Sequence, residues 1–125
     1  MMGDSPLFVK TYDLLKYLIP ATRKFPRDQR FVLAKRIQDA ALNFHECLLE
    51  ARKVDLLTRR EVLRRADVEL EKLRLHLRLS MELEYLDFSK YEYASGYVVE
   101  IGRMLGAWRE GTEGKIDRAD AARRT

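Results

Sequence analysis

Cysteine is all but missing from this chain. Cys47 stands alone among 125 residues, so no intramolecular disulfide framework can form, and a reducing, cytoplasmic setting is expected. Turn-forming residues are also sparse, with 6 glycines and 3 prolines, too few for a many-stranded sheet. No window approaches the roughly 20 apolar residues that span a bilayer, and no basic segment followed by an apolar one opens the chain. Neither a membrane span nor an export signal is therefore expected. Catalytic patterns are missing too: there is no glycine-rich phosphate loop, no His-x-x-x-His or Cys-x-x-Cys spacing, and no Glu-x-x-His of the di-iron bundle type. His45, Glu46 and Cys47 are consecutive, so on a helix they point about 100° apart and cannot share one metal ion. His76 reads as a partly buried helix residue rather than a general base. The expectation is a protein with no enzymatic activity, cofactor, metal or small-molecule substrate.

What is present favours helix. Hydrophobic residues make up 46% and charged residues 35% of the chain, with both signs interspersed as on long solvated helices, and the length fits one domain. The 24 basic and 20 acidic residues leave a net charge of +4, compatible with either solubility or a polyanionic partner. The excess is local. Arg23–Arg36 and Arg52–Arg65 together carry twelve basic residues against three acidic ones, so the remainder is net acidic. A charge run of this size is ordinarily a solvated face. Arg23, Lys24 and Arg27 fall at the first connection and Arg52, Lys53, Arg59 and Arg60 at the next, which an up-down bundle places at opposite ends.

Four segments carry helical periodicity. The first spans about Leu7 to Lys24, with a kink or early end expected at Pro20, which lacks a backbone donor and clashes with the preceding turn. Pro26 suits the opening turn of the second, whose apolar residues Phe31, Ala34, Ile37, Ala41, Phe44 and Leu48 recur at helical steps to about Ala51. The third, about Thr58 to Leu86, has two apolar stripes. Leu63, Ala66, Leu70, Leu73, Leu77 and Met81 occupy a sector about 80° wide, while Val68, Leu75, Leu79 and Leu86 lie on roughly the opposite side. One antiparallel bundle buries only the first stripe, so the second predicts an oligomer interface. Ser89 and Glu92 form a capping-box pattern that opens the fourth helix, whose buried stripe is Ala94, Tyr97, Ile101, Met104 or Leu105, and Trp108. Gly111 and Gly114 are expected to end it. This reading gives a loose terminus over 1–5, a bundle over 6–110 and a disordered tail over 111–125.

Arg74 and Arg78, at i and i+4, lie in the polar strip between the two stripes and share a side with Arg60, Asp67 and Glu71. They form either a solvated strip with Glu71 paired to Arg74 or a guanidinium ladder for phosphates or an acidic partner. Gly102 and Gly106, four apart inside the last helix, each cost about 1 kcal/mol of propensity, which close approach of a neighbouring helix would offset. Trp108, Tyr91, Tyr93 and Tyr97 read as packing residues first, with base stacking by an exposed subset as the alternative.

Four runs carry a family resemblance: Lys10–Lys16 (Lys-Thr-Tyr-Asp-Leu-Leu-Lys), Phe25–Asp28 (Phe-Pro-Arg-Asp), Leu73–Leu79 (Leu-Arg-Leu-His-Leu-Arg-Leu) and Glu100–Trp108 (Glu-Ile-Gly-Arg-Met-Leu-Gly-Ala-Trp). In this order, and over about Leu7 to Arg109, the chain resembles the accessory variability determinant (Avd) of diversity-generating retroelements. The resemblance implies an all-α, up-down-up-down four-helix bundle assembled as a barrel-shaped homopentamer with a positive surface. It implies a non-enzymatic partner of the retroelement reverse transcriptase and of its template RNA and DNA, supporting mutagenic cDNA synthesis. Arg74 and Arg78 match the family's third-helix arginines and are the first expected contacts. Arg23, Lys24, Arg27 and Arg60 are further basic candidates by charge; the stretch Arg52–Arg65 that holds Arg60 departs from the family's pattern, so its basic residues are not assigned by analogy. A broader set of four-helix bundles, including those encoded in intervening sequences of ribosomal RNA genes, is similar in pattern and implies the alternative: an assembly role with no reverse transcriptase partner.

Overall fold

The computed structural model describes residues 5–124, whose regular elements are all helical, with no strand among them. Helix α1 spans Pro6–Arg23, α2 Lys35–Ala51, α3 Leu56–Glu82 and α4 Phe88–Arg124; a 3-10 turn (Arg27–Gln29) and a π turn (Arg30–Ala34) lead into α2. Helix α1 packs on α2 and α4, α2 on α3, and α3 on α4, closing a four-helix bundle. Cross-links fix the directions. Lys10 meets Glu100 at 2.6 Å while Tyr17 stacks near Tyr93, so α1 and α4 are antiparallel. Glu50 meets Arg65 and Asn43 meets Glu69, and Arg60 meets Glu113 while Asp67 meets Arg109, so the α2/α3 and α3/α4 pairs are antiparallel too.

The core is the expected one along α3, where Leu63, Ala66, Leu70, Leu73 and Leu77 are buried against Leu14, Leu18, Ile37, Phe44, Leu48, Ala94, Ile101 and Leu105. Met81 is half-buried at the end of that stripe. Leu105 takes the core position on α4, while Tyr97, Met104 and Trp108 pack on its margin.

Local chemistry sets the helix ends. Ser5 is the extended N-cap of α1, its carbonyl accepting from the Phe8 and Val9 N–H groups, so of the terminus expected to be loose only residues 1–4 lie outside the described chain. Pro20 does not end α1, which continues to Arg23. Pro20 faces solvent, where the carbonyl it deprives of a donor meets water. Thr22, beyond it, is buried, its hydroxyl donating to the Leu18 carbonyl at 2.7 Å and accepting from Gln38 Nε2 at 2.8 Å.

Four sequence expectations are corrected. Phe31 is not in the core but 82% exposed, and Leu33 is buried instead. Two successive steps of three residues each rotate by 60° away from the stripe, leaving Phe31 about 120° from Ile37 on an ideal helix, and the π turn resets the register there. The capping box does not open α4. The Asp87 carboxylate accepts from the Lys90 N–H at 2.9 Å, so Asp87 is the cap and Ser89 is already inside the helix. Gly111 and Gly114 do not end α4, and its run to Arg124 replaces a disordered tail. The buried face continues through Thr112 and Ile116, and the Arg60–Glu113 ion pair ties this part of α4 to α3, which offsets the glycine cost. Leu86 is not on the outer face of α3 but 4% exposed, in the core. Helix α3 stops at Glu82, Glu84 takes φ 66°, and the Tyr85 and Leu86 N–H groups bond back to the Ser80 carbonyl. That left-handed turn folds Leu86 inward.

Candidate partner-binding surface

The groove between α3 and α4 holds the arginines singled out by sequence. It comprises two hollows: one holds Arg74 and Arg78 with Ser95 of α4 and the exposed Leu75 and Val99, and the other holds Arg60 with Gly106 and Gly114 of α4. Gly102 has a specific task. A Cβ there would stand 2.7 Å from Arg74 Nη2 and 3.7 Å from Leu70 Cδ2, so the missing side chain gives the guanidinium room to lie across α4. The close approach expected at Gly106 is not found within the protomer, where an added Cβ would meet nothing within 4 Å.

Each arginine of the groove is held by a carboxylate of its own chain. Arg74 Nη1 donates to Glu71 at 3.0 Å and Arg78 Nε to Glu82 at 3.1 Å. Arg60 reaches Glu113 with two bonds, Nε at 2.7 Å and Nη2 at 3.0 Å. The hydrogen bond from Arg60 holds the Glu113 carboxyl below the ordinary range and raises the Arg60 guanidinium. These pairs are exposed, so they hold geometry more than they stabilise, and a stronger anion can compete for the guanidinium.

The six basic candidates are not one patch. Arg60 and Arg78 are eighteen positions apart on α3, roughly 27 Å along its axis. Arg23, Lys24 and Arg27 sit in and beside the α1–α2 connection at the far end from Arg60. All three are exposed, and among the described residues none has a carboxylate within ion-pair distance.

The outer face of α3 carries the second apolar stripe. Val68, Leu75 and Leu79 are exposed, Leu75 at 61%, and Leu57 and Leu83 extend the line. At 100° per residue, Leu57, Val68, Leu75 and Leu79 fall within about 40° of one another. Sequence reasoning missed Leu57 and Leu83 at the helix ends and Val99 across the groove, though the same phase count places Leu57 in line. Trp108, expected in the buried stripe, is half-buried at the margin of the core, 6.0 Å from Phe8 and with the Arg59 guanidinium 5.8 Å from its ring.

Other chemistry at hand is limited. The Cys47 thiol is buried, and desolvation pushes its pKa up, away from the reactive thiolate. Among the described residues no group of three His, Cys, Asp or Glu side chains converges in metal-ligand geometry, and no helix is long and apolar enough to cross a membrane.

Fold and surface together define an antiparallel four-helix-bundle protein with an exposed apolar stripe beside an arginine-bearing groove. The family model described as bAvd-like matches residues 7–112, and the chain belongs to this Avd family. No curated protein matches the sequence.

Proposed function

We propose that the protein is a non-enzymatic accessory factor of a diversity-generating retroelement, acting in the cytoplasm as a barrel-shaped homopentamer. It binds the retroelement reverse transcriptase and its template RNA and DNA through basic surface, and it supports mutagenic cDNA synthesis without catalysing it. Membership of the bAvd-like family over residues 7–112 carries this reading. The apolar line Val68, Leu75 and Leu79 supports assembly, because a contiguous exposed stripe along a long helix is what subunit contact covers. Closed symmetry repeats Arg74 and Arg78 around an axis, converting weak contacts into useful avidity.

The test is the double variant Arg74→Ala/Arg78→Ala. It is expected to lose reverse transcriptase and RNA binding while its helical signal and assembly stay intact; dissociation of the double variant would make the pair structural instead. Binding to nucleic acid should also weaken steeply with salt, with a double-logarithmic slope of about 0.9 per duplex phosphate contact. Salt-insensitive binding contradicts the electrostatic reading.

One observation favours a second reading. Arg60, Arg74 and Arg78 are each paired with Glu113, Glu71 and Glu82 of the same chain, so none of the three requires an outside partner, and this suits the alternative of a bundle of the ribosomal RNA intervening-sequence type with an assembly role alone. That protein would form the oligomer but show no salt-dependent retardation of RNA.

A further inference from the structure

The end of the bundle where α1 gives way to α2 holds a feature that the α3/α4 groove does not explain. Phe31 projects into solvent with 82% of its surface exposed, the most exposed large hydrophobic residue described. It is held there by the π turn Arg30–Ala34, which buries Leu33 and Ala34 and turns Phe31 away from them. Single π turns are rare in helices and concentrate at functional sites.

Its surroundings are net cationic, with six basic residues against one acid, Asp28, from Arg23 to Arg36. Arg27 and Arg30 precede the ring, Lys35 and Arg36 follow it, and Arg23 and Lys24 stand on the preceding turn. Among the described residues only Lys35 of these six has a carboxylate within ion-pair distance, Asp39 at 2.6 Å. Arg30 Nε instead donates to the Phe25 carbonyl at 3.4 Å, so its charge is uncompensated. The ring also borders a groove between α2 and α3 lined by Lys35, Arg36, Lys72 and His76 together with the acids Asp39 and Glu69, which pair with Lys35 and Lys72, so Arg36 is the groove's uncompensated cation.

An aromatic face with no hydrogen-bonding atom, set among unpaired guanidinium groups, suits one ligand chemistry. A nucleobase stacks on the ring whatever its identity, while the flanking phosphates meet the arginines. Inside a duplex each base is stacked on both faces and closed to the ring, whereas an unpaired stretch offers a base face at every nucleotide, so the ligand is an unpaired stretch. A second copy of the same surface is a poor occupant, because it would bring the two arginine sets together.

We propose that Phe31, flanked by Arg27, Arg30, Lys35 and Arg36, is a base-stacking platform for single-stranded nucleic acid, distinct from the Arg74/Arg78 groove. It rests on the reading that the protein handles template RNA, and it names unpaired nucleotides as what this end of the bundle holds. The experiment measures fluorescence anisotropy of a short labelled uridine strand and of an abasic strand of equal length, with wild type, Phe31→Leu and Phe31→Trp. Phe31→Leu is expected to weaken the uridine strand at least about five-fold, to leave the abasic strand unchanged, and to keep the wild-type mass by light scattering. Phe31→Trp is expected to retain or improve uridine binding. If Phe31→Leu binds uridine like wild type, or weakens both strands equally, the platform is overturned while the accessory reading stands. If Phe31→Leu breaks the assembly, the ring is a subunit contact and the platform is again overturned. Wild type that binds neither strand overturns the platform and the nucleic-acid part of the proposed function together.

Discussion

Replacing Gly102 and Gly106 with alanine, one at a time, separates the stability of α4 from the placement of Arg74. An interior Gly→Ala change in a helix gains about 1 kcal/mol of propensity. At Gly106 an added methyl meets nothing within 4 Å, so nearly all of that gain should appear, about 1 kcal/mol. At Gly102 the methyl would stand 2.7 Å from Arg74 Nη2, and the guanidinium must leave. Being the end of a flexible side chain it moves cheaply, forfeiting its bond to Glu71, and an exposed pair of that kind contributes about 0.2–0.5 kcal/mol. The second neighbour, Leu70 Cδ2 at 3.7 Å, is in ordinary contact. The net expectation for Gly102→Ala is thus a gain of about 0.5 kcal/mol. Urea denaturation followed by circular dichroism resolves the order, and the melting temperature should rise by a few degrees for Gly106→Ala. Binding should split the other way, with Gly102→Ala weakening reverse transcriptase binding and Gly106→Ala leaving Arg74 where it is. A loss of more than about 1 kcal/mol for Gly102→Ala would refute the claim that only a movable guanidinium fills the gap. Destabilisation by Gly106→Ala would show that another backbone lies against it, which the protomer alone does not supply.

Glu84 has φ 66° in the turn after α3, a left-handed conformation that costs a residue bearing a Cβ about 1 kcal/mol; Glu84→Gly should therefore stabilise by about 0.5–1 kcal/mol in chemical denaturation, and destabilisation would contradict the C-cap assignment. Asp55 caps α3 by accepting the Thr58 N–H at 2.8 Å, and that bond holds its carboxyl below the ordinary 3.8. Because the folded value is depressed, this contribution is complete above the ordinary value and is lost as pH falls through the folded one. Asp55→Ala should thus melt below wild type at neutral pH, and the gap should shrink below about pH 4; a gap independent of pH would rule out the charged cap.

The legible parts of the fold were those with long, regular periodicity. Leu63 to Leu77 on α3 repeats its apolar phase over several turns, and it packs as that phase demands. Phe31 lies off the core because a chain of three-residue steps drifts in phase, and the rare π turn at Arg30–Ala34 breaks the 3.6-residue count that periodicity assumes. Asp87 and the Ser89–Glu92 box both suit a helix start, and only the backbone, which gives the Lys90 N–H to Asp87, decides between them. The continuation of α4 was hidden because Gly111 and Gly114 interrupt a stripe whose remaining members are just Thr112 and Ile116. At the candidate site, the shared face of Arg60, Arg74 and Arg78 followed from helix geometry alone, and so did the local Glu71–Arg74 pair. The Arg60–Glu113 pair did not, since its partners lie 53 positions apart in the chain.

The most direct test of the account is the solution mass of the purified protein by light scattering, alone and then with the cognate reverse transcriptase and template RNA. The account predicts the mass of a homopentamer that shifts upward when the two are added. A monomer whose mass does not change would contradict both the assembly and the accessory role built on it.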